Sequence, residues 1–143
     1  MPSTKDPASL PDPFKLKTIC KAISVLDAIL SPEWQFRYYS FNSKWGEGEE
    51  CLQVRNGQGD EMHVLFTDNG GCVINGFAHE YPQPDKTKLT AGLPEQFHEF
   101  MHGEPVNSIG TTFCLWNEGN GWKTGEVENT DDNSGRNAWH IYW

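Results

Sequence analysis

No two cysteines in this chain have Cys-x-x-Cys spacing, which argues against a zinc knuckle or a dithiol redox motif. Cys20, Cys51, Cys72 and Cys114 stand alone. No apolar run approaches the roughly 18 residues that span a bilayer, so no membrane partner is expected. The first residues, Met1–Pro13, are polar and proline-rich without the apolar heart of an export signal. That predicts a cytoplasmic protein with reduced thiols. No Gly-x-Ser-x-Gly elbow occurs. The glycine-rich loop Asn56-Gly-Gln-Gly-Asp60 lacks the lysine and the following helix of a phosphate cradle. Positive charge is also scarce: 11 basic against 20 acidic side chains leave a net charge of −9. Such a surface repels phosphate backbones, so nucleic acid is not an expected partner. Internal repeats and low-complexity tracts are absent as well.

What remains is a chain of 143 residues, the size of one domain able to bury about 68% of its unfolded surface without a metal or disulfide. The expected layout is a flexible arm over residues 1–12 and a single α+β domain over 13–143. Asp12 offers an N-cap and Pro13 a first helical residue. Leu16, Ile19, Ile23, Leu26 and Leu30 then recur at helical spacing, widened by Val25 and Ile29, with Lys17, Lys21 and Ser24 opposite. The pattern predicts a long amphipathic helix whose apolar stripe faces the core and which ends near Ser31-Pro32. Up to Ser31 the net charge is +1, and from Pro32 onward it is −10. The acidity therefore belongs to the chain beyond this helix.

The segments after Pro32 predict an antiparallel meander. An aromatic-rich strand over 37–45 precedes three alternating segments over 51–55, 61–67 and 72–79. A two-residue Asn69-Gly70 turn would place Phe66 opposite Val73, Met62 opposite Phe77 and Asp60 opposite His79. A three-residue loop over 57–59 would place Val54 opposite Met62 and Leu52 opposite Val64. Together these put Leu52, Val54, Met62, Val64, Phe66, Val73 and Phe77 on one face. Tyr81–Ala91 reads as a loop. Pro94 opens a short second helix with Phe97, Phe100 and Met101 on one side, stopped by Gly103-Glu104-Pro105. A hairpin over 111–116 and 122–127, an acidic loop over 128–136 and a last strand over 137–143 complete the fold.

Three constellations carry possible chemistry. His98-Glu99-Phe100-Met101-His102 fits the HExxH pattern, in which two histidines one helical turn apart hold zinc and the glutamate activates its water. That gives a metal pair His98 and His102 with Glu99 as the catalytic base of a small zinc-dependent hydrolase. No third ligand is evident, and the alternative is a short amphipathic helix with Glu95, His98, Glu99 and His102 on its wet side. Asp60 beside His79, with Glu61 and Glu80 adjacent, is half of an acid–base site or a polar pair closing the sheet. Six tryptophans, Trp34, Trp45, Trp116, Trp122, Trp139 and Trp143, supply core area. Trp116 and Trp122 flank a hairpin tip, where exposed aromatics would anchor a protein, a peptide or a sugar. The binding residues expected are therefore Trp116, Trp122, Asp60, His79 and Glu80. Glu47, Glu49, Glu50, Asp60 and Glu61 form one acidic run, and Glu126, Glu128, Asp131 and Asp132 another. Such clusters are solvated faces, and they also steer basic partners.

Arg37-Tyr-Tyr-Ser-Phe-Asn-Ser-Lys-Trp45, Asn56-Gly-Gln-Gly-Asp-Glu61, Gly76-Phe-Ala-His-Glu80, Gly92-Leu-Pro-Glu-Gln-Phe97 and Thr111-Thr-Phe-Cys-Leu-Trp116 together resemble a small uncharacterised bacterial domain. It is similar to the immunity proteins of contact-dependent and polymorphic toxins, over about residues 37–127. The resemblance implies a small, acidic, cytoplasmic protein that plugs a toxin's active site, with no catalytic residue of its own. The first expectation is accordingly a non-enzymatic binding protein with no cofactor and a basic protein as partner. A zinc-dependent hydrolase is the alternative, and a sugar- or peptide-binding module a further one.

Overall fold

The computed structural model describes residues 6–126. The segment 128–143, with its expected acidic loop, final strand, Trp139 and Trp143, lies outside the described residues. The first helix, α1 (Pro13–Leu30), begins as its sequence dictates. The Asp12 carboxylate accepts from the Lys15 amide at 3.1 Å, and Pro13 occupies the first turn. It stops at Ser31, whose amide closes on the Asp27 carbonyl at 2.7 Å ahead of Pro32.

Six strands come next: β1 (Tyr39–Gly46), β2 (Glu49–Arg55), β3 (Glu61–Thr67), β4 (Cys72–Phe77), β5 (Phe113–Asn117) and β6 (Lys123–Thr124). They form one antiparallel sheet in strict chain order. Between β4 and β5 run α2 (Lys86–Leu89), α3 (His98–His102) and α4 (Val106–Ile109). The α+β architecture is as expected. The short α2 sits inside the segment predicted as loop, and α4 comes after the Gly103-Glu104-Pro105 stop.

The sheet is covered on both sides. Leu16 and Cys20 of α1 pack with Leu52, Met62, Val64, Phe66, Cys72, Ile74 and Leu115. The opposite face holds Cys51, Leu65, Val73, Cys114 and Trp116 under Leu93, Phe97, Phe100, Met101 and Val106. Strands buried on both faces carry near-continuous apolar runs, as Cys72-Val73-Ile74 and Phe113-Cys114-Leu115-Trp116 do.

Three expectations are corrected here. First, β2 and β3 pair as predicted, with Leu52 opposite Val64 and Val54 opposite Met62. The β3–β4 register is one residue off: Phe66 faces Cys72, Leu65 faces Val73 and Glu61 faces Phe77. The Thr67 amide bonds the Gly71 carbonyl at 2.9 Å, and Gly70 takes φ 87°. The loop is thus Asp68-Asn69-Gly70, a three-residue turn closed by a left-handed glycine, in place of a two-residue Asn-Gly turn. A slip of one residue moves Val73 and Phe77 to the far face. Second, the buried line of α1 is Pro13, Leu16, Cys20 and Ser24. Val25, Leu26, Ile29 and Leu30 are exposed, and Ile19 and Ile23 half-buried. Third, the described part of the expected arm is held down. Leu10 is buried in the α1-side core, and the Pro11 carbonyl accepts from the Trp122 indole at 2.9 Å.

Gly76 of β4 lies opposite Phe113 of β5. A Cβ built on it would meet that ring at 2.0 Å, so the aromatic occupies the space a side chain would need.

Candidate functional site

Asp60 and His79 do meet, although not as ladder partners, since β3 begins at Glu61 and β4 ends at Phe77. The loop over 57–59, with Gly57 and Gly59 at positive φ, returns the chain so that Asp60 Oδ1 lies 2.6 Å from His79 Nδ1. The same oxygen accepts from the His79 amide at 3.0 Å, and Oδ2 from the Asn56 side chain at 2.7 Å. Burial raises the Asp60 carboxyl, but the His79 and Asn56 bonds outweigh it and hold it below the ordinary aspartate range. Glu61 is half-buried and Glu80 exposed.

A carboxylate lowered by folding stabilises the fold above its unfolded value near about pH 4 and loses that contribution as the pH falls through the folded value. Asp60→Asn is expected to be less stable by about 1 kcal/mol at neutral pH, with the gap closing at acid pH once Asp60 is protonated in the folded chain. Thermal melts of both proteins at neutral and acid pH check this.

The HEFMH segment is helical only over its own five residues, continuing the 3-10 turn Glu95–Phe97. Phe100 and Met101 are buried, while Glu95, His98, Glu99 and His102 face solvent, as the amphipathic reading requires. The rings of His98 and His102 meet edge to face at 5.8 Å between centroids. His98 Nε2 is 2.9 Å from the Leu93 carbonyl, so that nitrogen donates inward. Partial burial, the Lys86 ammonium and His98 together lower the His102 imidazole. Among the described residues, no group of three or more His, Cys, Asp or Glu side chains is arranged to hold a metal ion.

Of the two expected tryptophan anchors, the exposure of Trp116 is corrected. Trp116 is 3% exposed and part of the core opposite α1. Trp122 is half-buried against the α1-side core, with its indole N–H spent on Pro11. Trp116 is therefore covered, while the Trp122 ring remains partly exposed.

Two surfaces take their place. Because neighbouring hairpins alternate, the β1–β2, β3–β4 and β5–β6 turns share one end of the sheet. Glu47 sits in the first turn, Asp68 in the second and Glu118 in the third. The Asp68 amide bonds the Gly48 carbonyl at 2.9 Å. Asn69 donates to Gln96, which donates to Glu118, each at 2.9 Å. Burial and then the nearby Glu99 carboxylate raise the Glu49 carboxyl. This end therefore gathers acidic groups from three hairpins and α3. Glu50, by contrast, is bridged to Lys17 and Lys21 of α1. Those lysines hold its carboxyl down against the upward push of burial.

The second surface is apolar. Val25, Leu26, Ile29 and Leu30 of α1 are more than half exposed, as are Trp34, Phe36 and Tyr38 just after it. Beside them α1 and β1 enclose an open groove of about 720 Å³ whose lining includes Val25, Ala28, Trp34 and Phe41 together with the cations Lys21, Arg37 and Lys44. The Arg55 guanidinium stacks on Trp34 at 4.1 Å. The sequence did carry a signal of this surface. An 18-residue helix with apolar residues at Phe14, Ile19, Ile23, Val25, Leu26, Ile29 and Leu30 as well as Leu16 has more than one sheet face can cover.

All four cysteines are buried thiols, unpaired with one another. Burial pushes Cys20 and Cys114 up to about 12, which leaves them protonated and inert at neutral pH. No described helix is long and apolar enough to cross a membrane. The fold and these surfaces define a sheet domain covered by helices on both sides, with one acidic end and one apolar flank. No protein-family model, curated protein or solved structure matches this chain.

Proposed function

We propose that this chain is a non-enzymatic, cytoplasmic binding protein, an immunity-type inhibitor that engages a basic protein through the acidic end of its sheet. The observation that carries the reading is the convergence of Glu47, Glu49, Asp68, Glu99 and Glu118 at the three hairpin turns and α3, where the Glu49 carboxyl is raised by burial and by Glu99. Like charges held together in the free protein are relieved by an incoming cation. The sequence resemblance to toxin-immunity proteins supports the same assignment.

The test is titration against the purified product of the adjacent gene. Binding is expected to weaken steeply as salt rises, and Glu49→Lys with Glu99→Lys to weaken it roughly a hundredfold. Binding that ignores both salt and charge reversal, or no binding together with no protection of cells expressing the neighbouring effector, overturns the reading. A zinc-dependent hydrolase using His98, His102 and Glu99 is the second reading, favoured by the direct contact of the two imidazole rings. Metal analysis of untagged protein from zinc-supplemented cells distinguishes it: near-stoichiometric zinc supports the hydrolase, and only traces remove it.

A further inference from the structure

β1 is an edge of the sheet, with β2 as its one neighbour among the described residues. The Arg55 amide donates to the Tyr38 carbonyl at 2.8 Å, and this sets the alternation along the strand. Ser40 and Asn42 turn their main chain toward β2, whereas Tyr39 and Phe41 turn theirs away from it. The outward amide of Tyr39 is taken by the Asp27 carboxylate at 2.8 Å. Phe41 presents its N–H and C=O to the groove beside α1. The regular edge ends soon after. The β1–β2 register shifts beyond Asn42, and the Asn42 side chain accepts from the Lys44 amide at 2.9 Å. Lys21, Ser24, Val25 and Ala28, one stripe of α1, line the groove along this edge. Helix stripe and open edge together make a place for one more strand.

We infer that this place takes an extended acidic peptide of a partner protein, added to the edge of β1 as a further strand. Charge supplies the chemistry of the partner. Three of the chain's 11 basic residues, Lys21, Arg37 and Lys44, line the groove, and none of its 20 acidic ones does. Glu50, which ties Lys21, is shared with Lys17, so two lysines stand against one carboxylate. Arg37 is fixed by main chain. Its Nε donates to the Ser31 carbonyl at 2.8 Å and its Nη2 to the Pro32 carbonyl at 2.7 Å, and the rest of its donor fork is unspent. Among the described residues neither Arg37 nor Lys44 is paired with a carboxylate. The overall charge of −9 does not oppose this locally, because physiological salt screens exposed charges beyond about 8 Å.

The spacing of the cations argues for a peptide. Arg37 and Lys44 stand at opposite ends of the edge, roughly 20 Å apart along an extended chain. One small anion does not span that distance, and a peptide acidic at both ends does. Between them the α1 side of the edge is apolar, with Val25, Ala28, Trp34 and Phe41. The other side is polar, with Ser40 paired to Gln53. An added strand meets both through its alternating side chains. The hydroxyls of Ser24 and Ser40, one on each side, have no hydrogen-bond partner among the described residues, and Ser24 is only 8% exposed. Buried hydroxyls are ordinarily bonded, and these two line the groove that the strand would enter. A second copy fits this edge worse. Pairing β1 on β1 about Phe41 brings Arg37 of each copy close to Lys44 of the other, like charge on like.

Residue-resolved amide hydrogen exchange of the full chain tests this, with the peptide acetyl-DEVTVTED-amide as the probe. In the free chain the Phe41 amide is expected to exchange roughly tenfold faster than those of Ser40 and Asn42, and saturating peptide to slow it roughly tenfold. The same peptide with lysine at every acidic position is expected to bind roughly tenfold more weakly, as is one with N-methylated valines, which lacks main-chain donors. Val25→Glu with Lys44→Glu is expected to weaken binding roughly a hundredfold. Its unfolding midpoint should match that of the parent, because both side chains are exposed. A Phe41 amide already protected in the free chain overturns the proposal. Protection independent of concentration then assigns the edge to another segment of the same chain, and protection that grows with concentration to a second copy. An amide left unprotected by millimolar peptide also overturns it, as does equal binding of the lysine peptide. Glu49→Lys with Glu99→Lys leaves peptide binding intact, and Val25→Glu with Lys44→Glu leaves binding of a basic partner intact, so failure of either reading is read separately.

Discussion

His63→Leu is expected to flatten the acid limb of the stability profile between about pH 6.5 and about pH 4, where the parent protein loses up to about 3 kcal/mol. His63 is 1% exposed in β3, and burial pulls its imidazole down to about 4. The Gln53 side-chain amide donates to Nε2 at 3.2 Å, which places the proton on Nδ1, and Nδ1 has no partner. Trp45 covers the ring from 6.4 Å. A second proton would have to displace Gln53 and bring a charge into that setting. The unfolded chain binds the proton near the ordinary value of 6.5, and the folded chain only near 4. Stability is therefore fully present above about pH 6.5 and falls on acidification through the window between the two values. Urea unfolding of both proteins across this range checks it, and equal acid slopes would show that His63 is not the titrating group.

Gly76→Ala is expected to lower stability by about 3 kcal/mol, roughly 10 °C in Tm for a chain of this size. The new Cβ would sit 2.0 Å from the Phe113 ring, and Phe113 is itself packed in the α1-side core. Neither can yield without opening the β4–β5 pair. Phe113→Ala alone is expected to cost about 3–5 kcal/mol through its cavity. In the double variant the clash is gone, so the combined loss should fall well short of the sum of the two. Thermal unfolding of the four proteins closes the cycle, and strict additivity would rule out the direct contact as the cause.

Much of the fold was legible because local chemistry dictates it. Asp12-Pro13 starts α1, the glycines at 57 and 59 set the β2–β3 register, and Phe97, Phe100 and Met101 mark one side of a short helix. The errors arose where two local solutions compete. Asp68-Asn69-Gly70 supports either a two- or a three-residue turn, and the choice reverses every later side chain of β4. α1 carries apolar residues around most of its circumference, so periodicity alone does not say which line meets the sheet. The buried line includes Cys20 and Ser24, small residues that allow close approach and contribute little to an apolar count. The Asp60–His79 pair was legible, but its contact comes from the 57–59 loop rather than the ladder. Trp116 looked free because the layer over its sheet face comes from segments distant in sequence. The acidic end depends on three hairpins stacking in register, which no single segment displays.

The strict chain order of the six strands has a kinetic consequence. Every sheet pairing among the described residues is made with a sequence neighbour, so β1 to β4 form by successive local closures, each able to proceed on the microsecond scale of hairpins. The β4–β5 pairing alone waits for a loop of 35 residues, from 78 to 112, to fold back. α1 precedes the whole sheet in the chain and is the last to find its seat, since its core neighbours extend to Leu115. During synthesis its apolar surface stays uncovered until nearly the whole sheet exists, and this interval is where chaperone engagement should concentrate.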